Sequence, residues 1–171
     1  LPYIVFERTD DTVACYYNQK GVDWETDLLL EIAKKDKTFV PELCKIIPEK
    51  LKFLRPLYEK PIAISHSDLV RFLNELESYY PWLEAMWWLM ELTPERLGDL
   101  NVDELREIRK QTNDLSVGTD IVIRMSCQKL FPEIKDFVHV LTTKEIINSR
   151  IPSLEELKKR DVGFLYTDDK L

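Results

Sequence analysis

Glycine is scarce in this chain, with four residues among 171, whereas average usage in proteins is about 7%. Phosphate-binding loops, dinucleotide-binding turns and nucleophile elbows all need residues without a Cβ atom. The glycines here are isolated, and each stands where a turn or a helix end is expected: Gly21, Gly98, Gly118 and Gly163. The sequence therefore contains neither a P-loop nor a dinucleotide-binding fingerprint.

Histidine and cysteine are too few and too dispersed to indicate a metal site. Neither His66 nor His139 has a cysteine or a second histidine at zinc-ligand spacing. The three cysteines are odd in number and widely spaced, which suggests no disulfide framework. We interpret Cys15, Cys44 and Cys127 as small buried residues in a reducing compartment, which favours a cytoplasmic protein.

Long apolar runs and an excess of positive charge are also lacking. No stretch approaches the ~18 apolar residues that a membrane span requires, and the longest, Trp82–Leu92, is interrupted by Glu84 and Glu91. The net charge is −7, whereas nucleic-acid binding needs a concentrated positive face. We therefore expect neither a membrane nor a nucleic acid as the partner.

The composition that is present predicts a folded domain. Hydrophobic residues make up 44% and charged residues 32%, which is enough for a full core and a solvated surface. Leu1-Pro2-Tyr3 shows no basic region or cleavage pattern of a signal peptide. Because no initiator methionine is present either, we expect that the chain was cut from a longer protein or has lost a tag.

The predicted fold is mainly α: a multi-helix domain with an N-terminal β-hairpin and a short C-terminal strand. Residues 1–20 contain two runs of β-branched and aromatic residues around a polar turn, which predicts a hairpin packed on the helices. Residues 21–171 form the helical domain, and we expect a single domain overall. The closing strand is predicted over Val162–Tyr166.

Apolar periodicity and capping residues mark the individual helices. Expected boundaries are Trp24 to about Lys37, Thr38 to Leu57, Ser65 to Leu92, Asn101 to Arg109, and Thr119 to Leu130, with a short helix through Phe137. Pro48 and Pro56 are expected to kink or break the second helix, and Pro81 the third.

Four cap signals are read directly from the sequence. Serine, threonine or asparagine followed three residues later by an acidic residue predicts a helix start, and the pairs are Ser65 with Asp68, Asn101 with Glu104, Thr142 with Glu145, and Ser153 with Glu156. The last two indicate short helices close to the C-terminal end of the sequence.

No catalytic constellation is apparent, and we predict no catalytic, cofactor-binding or metal-binding residue in this chain. His66 follows Ser65 and precedes Asp68, but close neighbours in a helix's first turn point in different directions and cannot form a relay. We interpret His66 as a surface residue and His139 as a partly buried residue hydrogen-bonded to backbone. Exposed neighbours such as Glu155 and Glu156 lack the different environments that separate two pKa values. A small helical enzyme using His66 remains an alternative.

An aromatic cluster is the one feature that suggests a binding surface. Tyr79, Trp82, Trp87 and Trp88 lie at helical spacing in an apolar segment, which is typical of a core. Trp87 and Trp88 lie roughly 100° apart around a helix, so both are buried only when packed from two sides. A tryptophan that is not buried would mark an interface with another domain or a partner.

The order of these elements resembles the helical connecting region of phosphoenolpyruvate-utilising phosphotransferases, the phosphoenolpyruvate synthase and pyruvate phosphate dikinase group. The likeness covers about residues 20 to 171. The segments that carry it are the helix pair Thr26–Leu57 with LLLEIAKKDKTFVPEL, the helix start Ile64–Val70, the run Tyr79–Trp82, and the closing stretch with Leu-Thr-x-x-Glu-Ile and Pro-Ser-x-x-Glu-Leu.

The resemblance implies a non-catalytic helical linker that positions the catalytic domains of a larger phosphotransferase. ATP and Mg²⁺ are then expected only for the parent protein, and the partners are its other domains. Neither His66 nor His139 lies in the Thr- and Gly-rich loop that carries the family's phosphohistidine, so no catalytic residue is carried over. The alternative is a stand-alone helical binding module that uses the aromatic surface around Tyr79–Trp88 for a protein or small-molecule partner. The oligomeric state is left open.

Overall fold

The computed structural model describes residues 4–8, 13–112 and 115–162 and confirms that the protein is mainly helical. The elements, in chain order, are β1 (Ile4–Arg8), β2 (Val13–Tyr17), α1 (Gln19–Lys35), α2 (Phe39–Glu59), α3 (His66–Met90), α4 (Pro94–Leu97), α5 (Asp103–Arg109), α6 (Leu115–Leu130), α7 (Thr143–Asn148) and α8 (Leu154–Val162). Short 3-10 helices cover Lys110–Thr112 and Pro132–Val140.

The two strands form an antiparallel pair near the N-terminal end. Ile4 lies opposite Tyr17, and Arg8 lies opposite Val13. The polar turn expected between them falls on residues 9–12, which lie outside the described part of the chain. Packing of residues 1–20 on the helices stays a prediction.

Helix α1 begins five residues earlier than predicted. Asn18 is its N-cap, and the Asn18 Oδ1 accepts the backbone N–H of Lys20 at 3.1 Å and that of Gly21 at 3.4 Å. This short-range cap stabilises the first turn before the apolar periodicity begins at Trp24.

Helix α2 is one continuous helix of 21 residues, so a break at Pro48 or Pro56 is wrong, while a kink there stays a prediction. Each proline removes one intrahelical hydrogen bond. The loss is offset because the helix buries an apolar face along its whole length; Leu43, Ile47, Leu51 and Leu54 are all essentially inaccessible to solvent.

Helix α3 begins where its cap predicts. Asp68 N–H donates to Ser65 Oγ at 3.2 Å, and Ser65 Oγ donates to the Asp68 carboxylate at 2.6 Å. Pro81 lies inside this helix, which runs on to Met90. The kink expected there stays a prediction.

The chain then makes short elements before the long helix α6. Thr93 is the N-cap of α4, and Gly98 ends α4 at a φ of 60°, a conformation that glycine adopts without strain. Helix α5 begins at Asp103 after the N-cap Val102, so the predicted cap at Asn101 is wrong; the Asn101 Oδ1 atom instead accepts the N–H of Asp103 at 2.9 Å. Helix α6 starts at Leu115, four residues before its predicted boundary.

The C-terminal helices confirm both predicted caps. Thr142 and Glu145 form a reciprocal capping box at the start of α7. Ser153 Oγ accepts the N–H of Glu156 at 3.3 Å and caps α8. The predicted strand from Val162 to Tyr166 does not begin at Val162, because that residue ends α8. Residues 163–166 lie outside the described part of the chain.

Contacts divide the chain into two compact units. The first unit consists of the chain up to Glu49 together with Tyr80–Gln111, and the second consists of Lys50–Tyr79 together with the chain from Thr112 onward. Helices α2 and α3 therefore contribute residues to both units. Whether the units behave as the predicted single domain stays a prediction.

Candidate functional site

His66 is a structural residue of the second unit. The His66 Nε2 atom lies 2.9 Å from the carbonyl oxygen of Ile146 and 3.1 Å from Ser149 Oγ. A carbonyl oxygen only accepts hydrogen bonds, so the imidazole N–H is used to fasten the start of α3 to α7. The half-buried ring is thus not the surface residue that was expected, and its Nε2 is not aimed at Asp68.

His139 is partly buried as predicted, but its partner is different. His139 Nε2 lies 2.6 Å from Asp161 Oδ1, which joins the 3-10 helix Pro132–Val140 to α8. A backbone partner was predicted for His139, whereas the observed partner is a carboxylate 22 positions away in the chain.

The cysteines in the described helices are buried and protonated. Burial raises the pKa of the Cys127 thiol to about 11. Burial, and then the nearby Glu104 carboxylate that accepts its S–H, raises the pKa of Cys44 to about 11 as well. The burial of Cys44 and Cys127 confirms their interpretation as small buried residues. The side chain of Cys15 lies outside the described set.

A cavity of about 350 Å³ lies in the first unit, with Lys37, Cys44, Asp99 and Glu104 in its wall. The Cys44 thiol in this wall is protonated and hydrogen-bonded, so it contributes no nucleophile to the cavity. Within the described ranges, histidine, cysteine, aspartate and glutamate side chains nowhere gather in a group of three that could hold a metal ion.

The carboxylates near the end of the described chain form ion pairs with basic residues. Glu156 lies 3.1 Å from the guanidinium of Arg160, and Glu155 lies 3.0 Å from Lys159. The buried Arg160 also contacts Glu145 at 2.9 Å. Glu155 and Glu156 therefore do not form an acid/base pair, and the Arg160 cluster fastens α8 to α7.

The four predicted surface aromatics differ in exposure. Tyr79 is 0% exposed and so offers no contact surface, which corrects that part of the prediction. Trp82, Trp87 and Trp88 are each partly buried in the first unit. The Arg109 guanidinium lies 5.2 Å from the centre of the Trp87 ring, so this face of the indole is already covered by a cation. The role of Trp82, Trp87 and Trp88 at an interface stays a prediction.

The largest exposed aromatic side chain lies elsewhere, on helix α1. Trp24 is 60% exposed, Leu28 41% and Ile32 38%. Their spacing of four residues places them along one face of the helix, which we name the α1 stripe. Thr26 and Ala33, the buried residues of α1, lie roughly 180–200° from Trp24 at 100° per residue. The α1 stripe therefore points away from the side of α1 that is buried.

Two carboxylates accompany the α1 stripe. Glu25 on α1 and Glu84 on α3 are both partly buried, and neither has a hydrogen bond or ion pair with any described residue. Burial raises the pKa of Glu84, and the negative charge of Glu25 raises it further. Burial also raises the pKa of Tyr80, and the charge of Glu84 adds to this effect. The Glu84 carboxylate thus lies within electrostatic range of both Glu25 and Tyr80.

Helix α6 carries a second stripe at the same spacing. Val117, Ile121 and Met125 are exposed in the second unit. The charges beside them, Asp120 and Arg124, are paired with each other at 2.7 Å. Because Asp120 and Arg124 already pair with each other, they offer a partner no free charge. The α1 stripe is therefore the better candidate site.

Comparison of the chain with protein-family models, with curated proteins and with solved structures gives no match. In the described part of the chain, no helix combines the length and the apolar character needed to cross a membrane.

The exposure of the α1 stripe was not predicted from the sequence. Leu28, Ile32 and Ala33 all fall at helical spacing, so apolar periodicity alone assigns them to one buried face. The structure buries Ala33 and exposes the two larger residues. The repeat of Trp24, Leu28 and Ile32 at four-residue steps was the available signal. The arrangement offers a partner an apolar surface with two carboxylates beside it.

Proposed function

We propose that the chain is a non-catalytic helical binding module whose α1 stripe docks another polypeptide. The observation that carries this proposal is the exposure of Trp24, Leu28 and Ile32 along one face of α1. Large apolar residues scattered singly on a surface need no explanation, but a contiguous row with a tryptophan is typical of an interaction site.

The α1 stripe can supply useful affinity. Full burial of a large apolar side chain contributes about 1.5–3 kcal/mol. Scaled by the exposed fractions of 60%, 41% and 38%, covering Trp24, Leu28 and Ile32 contributes about 3 kcal/mol. This corresponds to roughly 100-fold in a dissociation constant, enough to decide whether a moderate interface forms.

The positioning role implied by the likeness to phosphoenolpyruvate-utilising phosphotransferases stays a prediction. In such a protein the α1 stripe would serve as the contact for another domain. A free binding module and a linker domain thus share the same surface, and they differ only in whether the partner is in the same polypeptide.

The experiment uses a fluorescein-labelled amphipathic peptide about as long as α1, with leucine on one face and glutamine on the other. Fluorescence anisotropy measures its Kd for the unmodified chain and for the double variant Trp24→Ser/Leu28→Ser. We expect the double variant to bind about 50- to 100-fold more weakly, because most of the stripe's apolar surface is lost. Since both side chains are exposed, the far-UV circular dichroism should be unchanged.

The matched control is Ile62→Ser, which removes an exposed apolar residue outside the α1 stripe. Its Kd should stay within about twofold of the original value. Absence of peptide binding by the unmodified chain would refute the proposal. An Ile121→Ser variant that loses binding while Trp24→Ser/Leu28→Ser keeps it would place the site on α6 instead.

A further inference from the structure

We propose that helix α8 is a detachable strap over a small apolar cluster of the second unit, and that it opens while the rest of this unit stays folded. We name this group the C-terminal cluster. It consists of the buried residues Ile134, Val140 and Leu157, with Phe131, Phe137, Leu141 and Ile151 packed against them. The inference is independent of the α1 stripe, because the stripe belongs to the first unit.

Helix α8 has few apolar contacts to hold it. Among its side chains at residues 154–161, Leu157 is the single apolar one that is buried, at 0% exposure, whereas Leu154 is 45% exposed. Helix α2 contributes two inaccessible leucines to the same unit, Leu51 and Leu54. A helix of nine residues is shorter than the roughly 12–15 residues that an isolated helix needs in water. Helix α8 is therefore expected to lose its helical form when it detaches.

The other ties of α8 are polar. Arg160 lies 2.9 Å from Glu145 on α7, and Asp161 Oδ1 lies 2.6 Å from His139 Nε2 on the 3-10 helix Pro132–Val140. Arg160 also contacts Glu156 within α8 at 3.1 Å. For charges taken out of water, the loss of hydration offsets most of their attraction. One leucine and two polar ties thus hold α8 to its neighbours.

The neighbours of α8 have attachments of their own. The Phe131 N–H donates to the carbonyl oxygen of Cys127 at 2.8 Å, which joins the start of the 3-10 helix to α6. Helix α7 has its own capping box and is joined to α3 by the contact of His66 Nε2 with the Ile146 carbonyl oxygen at 2.9 Å. Segments with few buried apolar contacts open at a lower free energy than the whole protein. Detachment of α8 is therefore expected to leave α6 and α7 in place and to uncover the C-terminal cluster.

Native-state amide hydrogen exchange, followed by mass spectrometry, tests the strap in the unmodified chain. We expect the amides of residues 155–161 to be protected at least about 100-fold less than those of residues 51–59 in α2. Their exchange should also depend little on urea below the unfolding transition, because detaching one short helix exposes little surface. Equal protection and equal urea dependence of the two segments would refute the proposal.

A variant in α2 separates local opening from global unfolding. Leu54→Ala removes a core side chain and should speed exchange at residues 51–59 by about 30-fold or more. Exchange in α8 should stay within about twofold of its original rate, because its opening does not involve Leu54. Acceleration of α8 by the same factor as α2 would show that α8 opens only with the whole unit.

Two neighbouring substitutions in α8 test the polar ties. Arg160→Met keeps most of the side chain's length but removes its contacts with Glu145, and should speed exchange in α8 by about 30-fold or more. Lys159→Met is the matched control. It breaks the exposed pair with Glu155 and should change exchange in α8 by less than about threefold. Equal effects of the two substitutions would contradict a fastening role for Arg160.

The variant Arg160→Glu tests what the strap covers, because it places a third carboxylate beside Glu145 and Glu156. We expect α8 to open and the fluorescence of the dye 8-anilinonaphthalene-1-sulfonate to rise about threefold or more as the C-terminal cluster becomes accessible. The loss of far-UV circular dichroism should not exceed the nine residues of α8. Loss of most of the helical signal would make α8 an integral part of the fold. Free exchange in α8 without dye binding would show that it covers no apolar surface.

Discussion

The variant Gly118→Ala tests a close approach of two helices in the second unit. A Cβ atom added at Gly118 of α6 would lie 2.2 Å from the carbonyl oxygen of Tyr58 and 2.8 Å from its carbonyl carbon. Nonbonded carbon atoms normally stay about 3.5–4.0 Å apart. The obstacle is the backbone of α2, and the Tyr58 side chain is itself buried, so the clash cannot be relieved by rotating a surface side chain.

Two opposing effects set the size of the change in stability. Alanine is favoured over glycine inside a helix by about 1 kcal/mol. Inserting a methyl group into a packed site costs about 1–3 kcal/mol, and contact with backbone places Gly118→Ala at the upper end. We therefore expect the free energy of unfolding to fall by about 2 kcal/mol, or the melting temperature by roughly 6 °C for a chain of this size.

Urea denaturation followed by far-UV circular dichroism gives this free energy, with Val117→Ala as the control. Val117 is the exposed neighbour on α6, 67% accessible to solvent, and its replacement should change stability by less than about 0.5 kcal/mol. Unchanged or increased stability of Gly118→Ala would refute the close approach of α6 to Tyr58.

The same titration tests the single-domain prediction. The chain's four tryptophans, Trp24, Trp82, Trp87 and Trp88, all belong to the first unit, whereas Gly118 belongs to the second. If the two units unfold as one domain, Gly118→Ala shifts the tryptophan-fluorescence transition as far as the circular dichroism transition. A fluorescence midpoint equal to that of the unmodified chain would contradict a single cooperative domain.

Three further predictions concern ionisable groups. Arg160→Ala should destabilise the chain by about 2–3 kcal/mol at pH 7, because it leaves Glu145 partly buried without its cation. Burial alone would raise the pKa of Glu145, but hydrogen bonds from Arg160 and Thr142 outweigh burial and lower it below 4.5. The loss in free energy of unfolding, measured by urea denaturation, should therefore shrink as pH falls below 4.5. A loss that stays constant with pH would contradict this. Glu84→Gln should stabilise the chain at pH 7 by less than about 1 kcal/mol and lose this advantage in acid. The reason is that the raised pKa of Glu84 makes its charged form unfavourable in the folded state. A variant that is destabilised at pH 7 would show that Glu84 has a favourable partner. With their pKa raised to about 11, Cys44 and Cys127 should resist iodoacetamide at pH 8 and react after denaturation, as peptide mass spectrometry would reveal; rapid labelling in the native protein would contradict their burial.

Helix caps were the most predictable part of this fold. The pairs Ser65 with Asp68, Thr142 with Glu145, and Ser153 with Glu156 all mark helix starts. Such signals act between residues three positions apart, so their geometry follows from the helix itself. The N-cap Asn18 was missed because no apolar repeat precedes Trp24.

The environments of Pro48, Pro56 and His66 depend on residues that lie far away in the chain. Pro48 and Pro56 lie inside α2 because the burial of its apolar face offsets two lost hydrogen bonds, a balance that depends on residues far away in the chain. His66 contacts Ile146 and Ser149, about 80 positions away. No spacing rule within the sequence connects residues at that separation.

The sequence by itself determined that the chain is mainly helical and where several helices begin, because periodicity and caps act locally. Only the tertiary structure decided which apolar residues face solvent. It buried Tyr79 completely and exposed Trp24, Leu28 and Ile32. Helical spacing states that residues share a face, but the packing of the rest of the chain determines which face is covered.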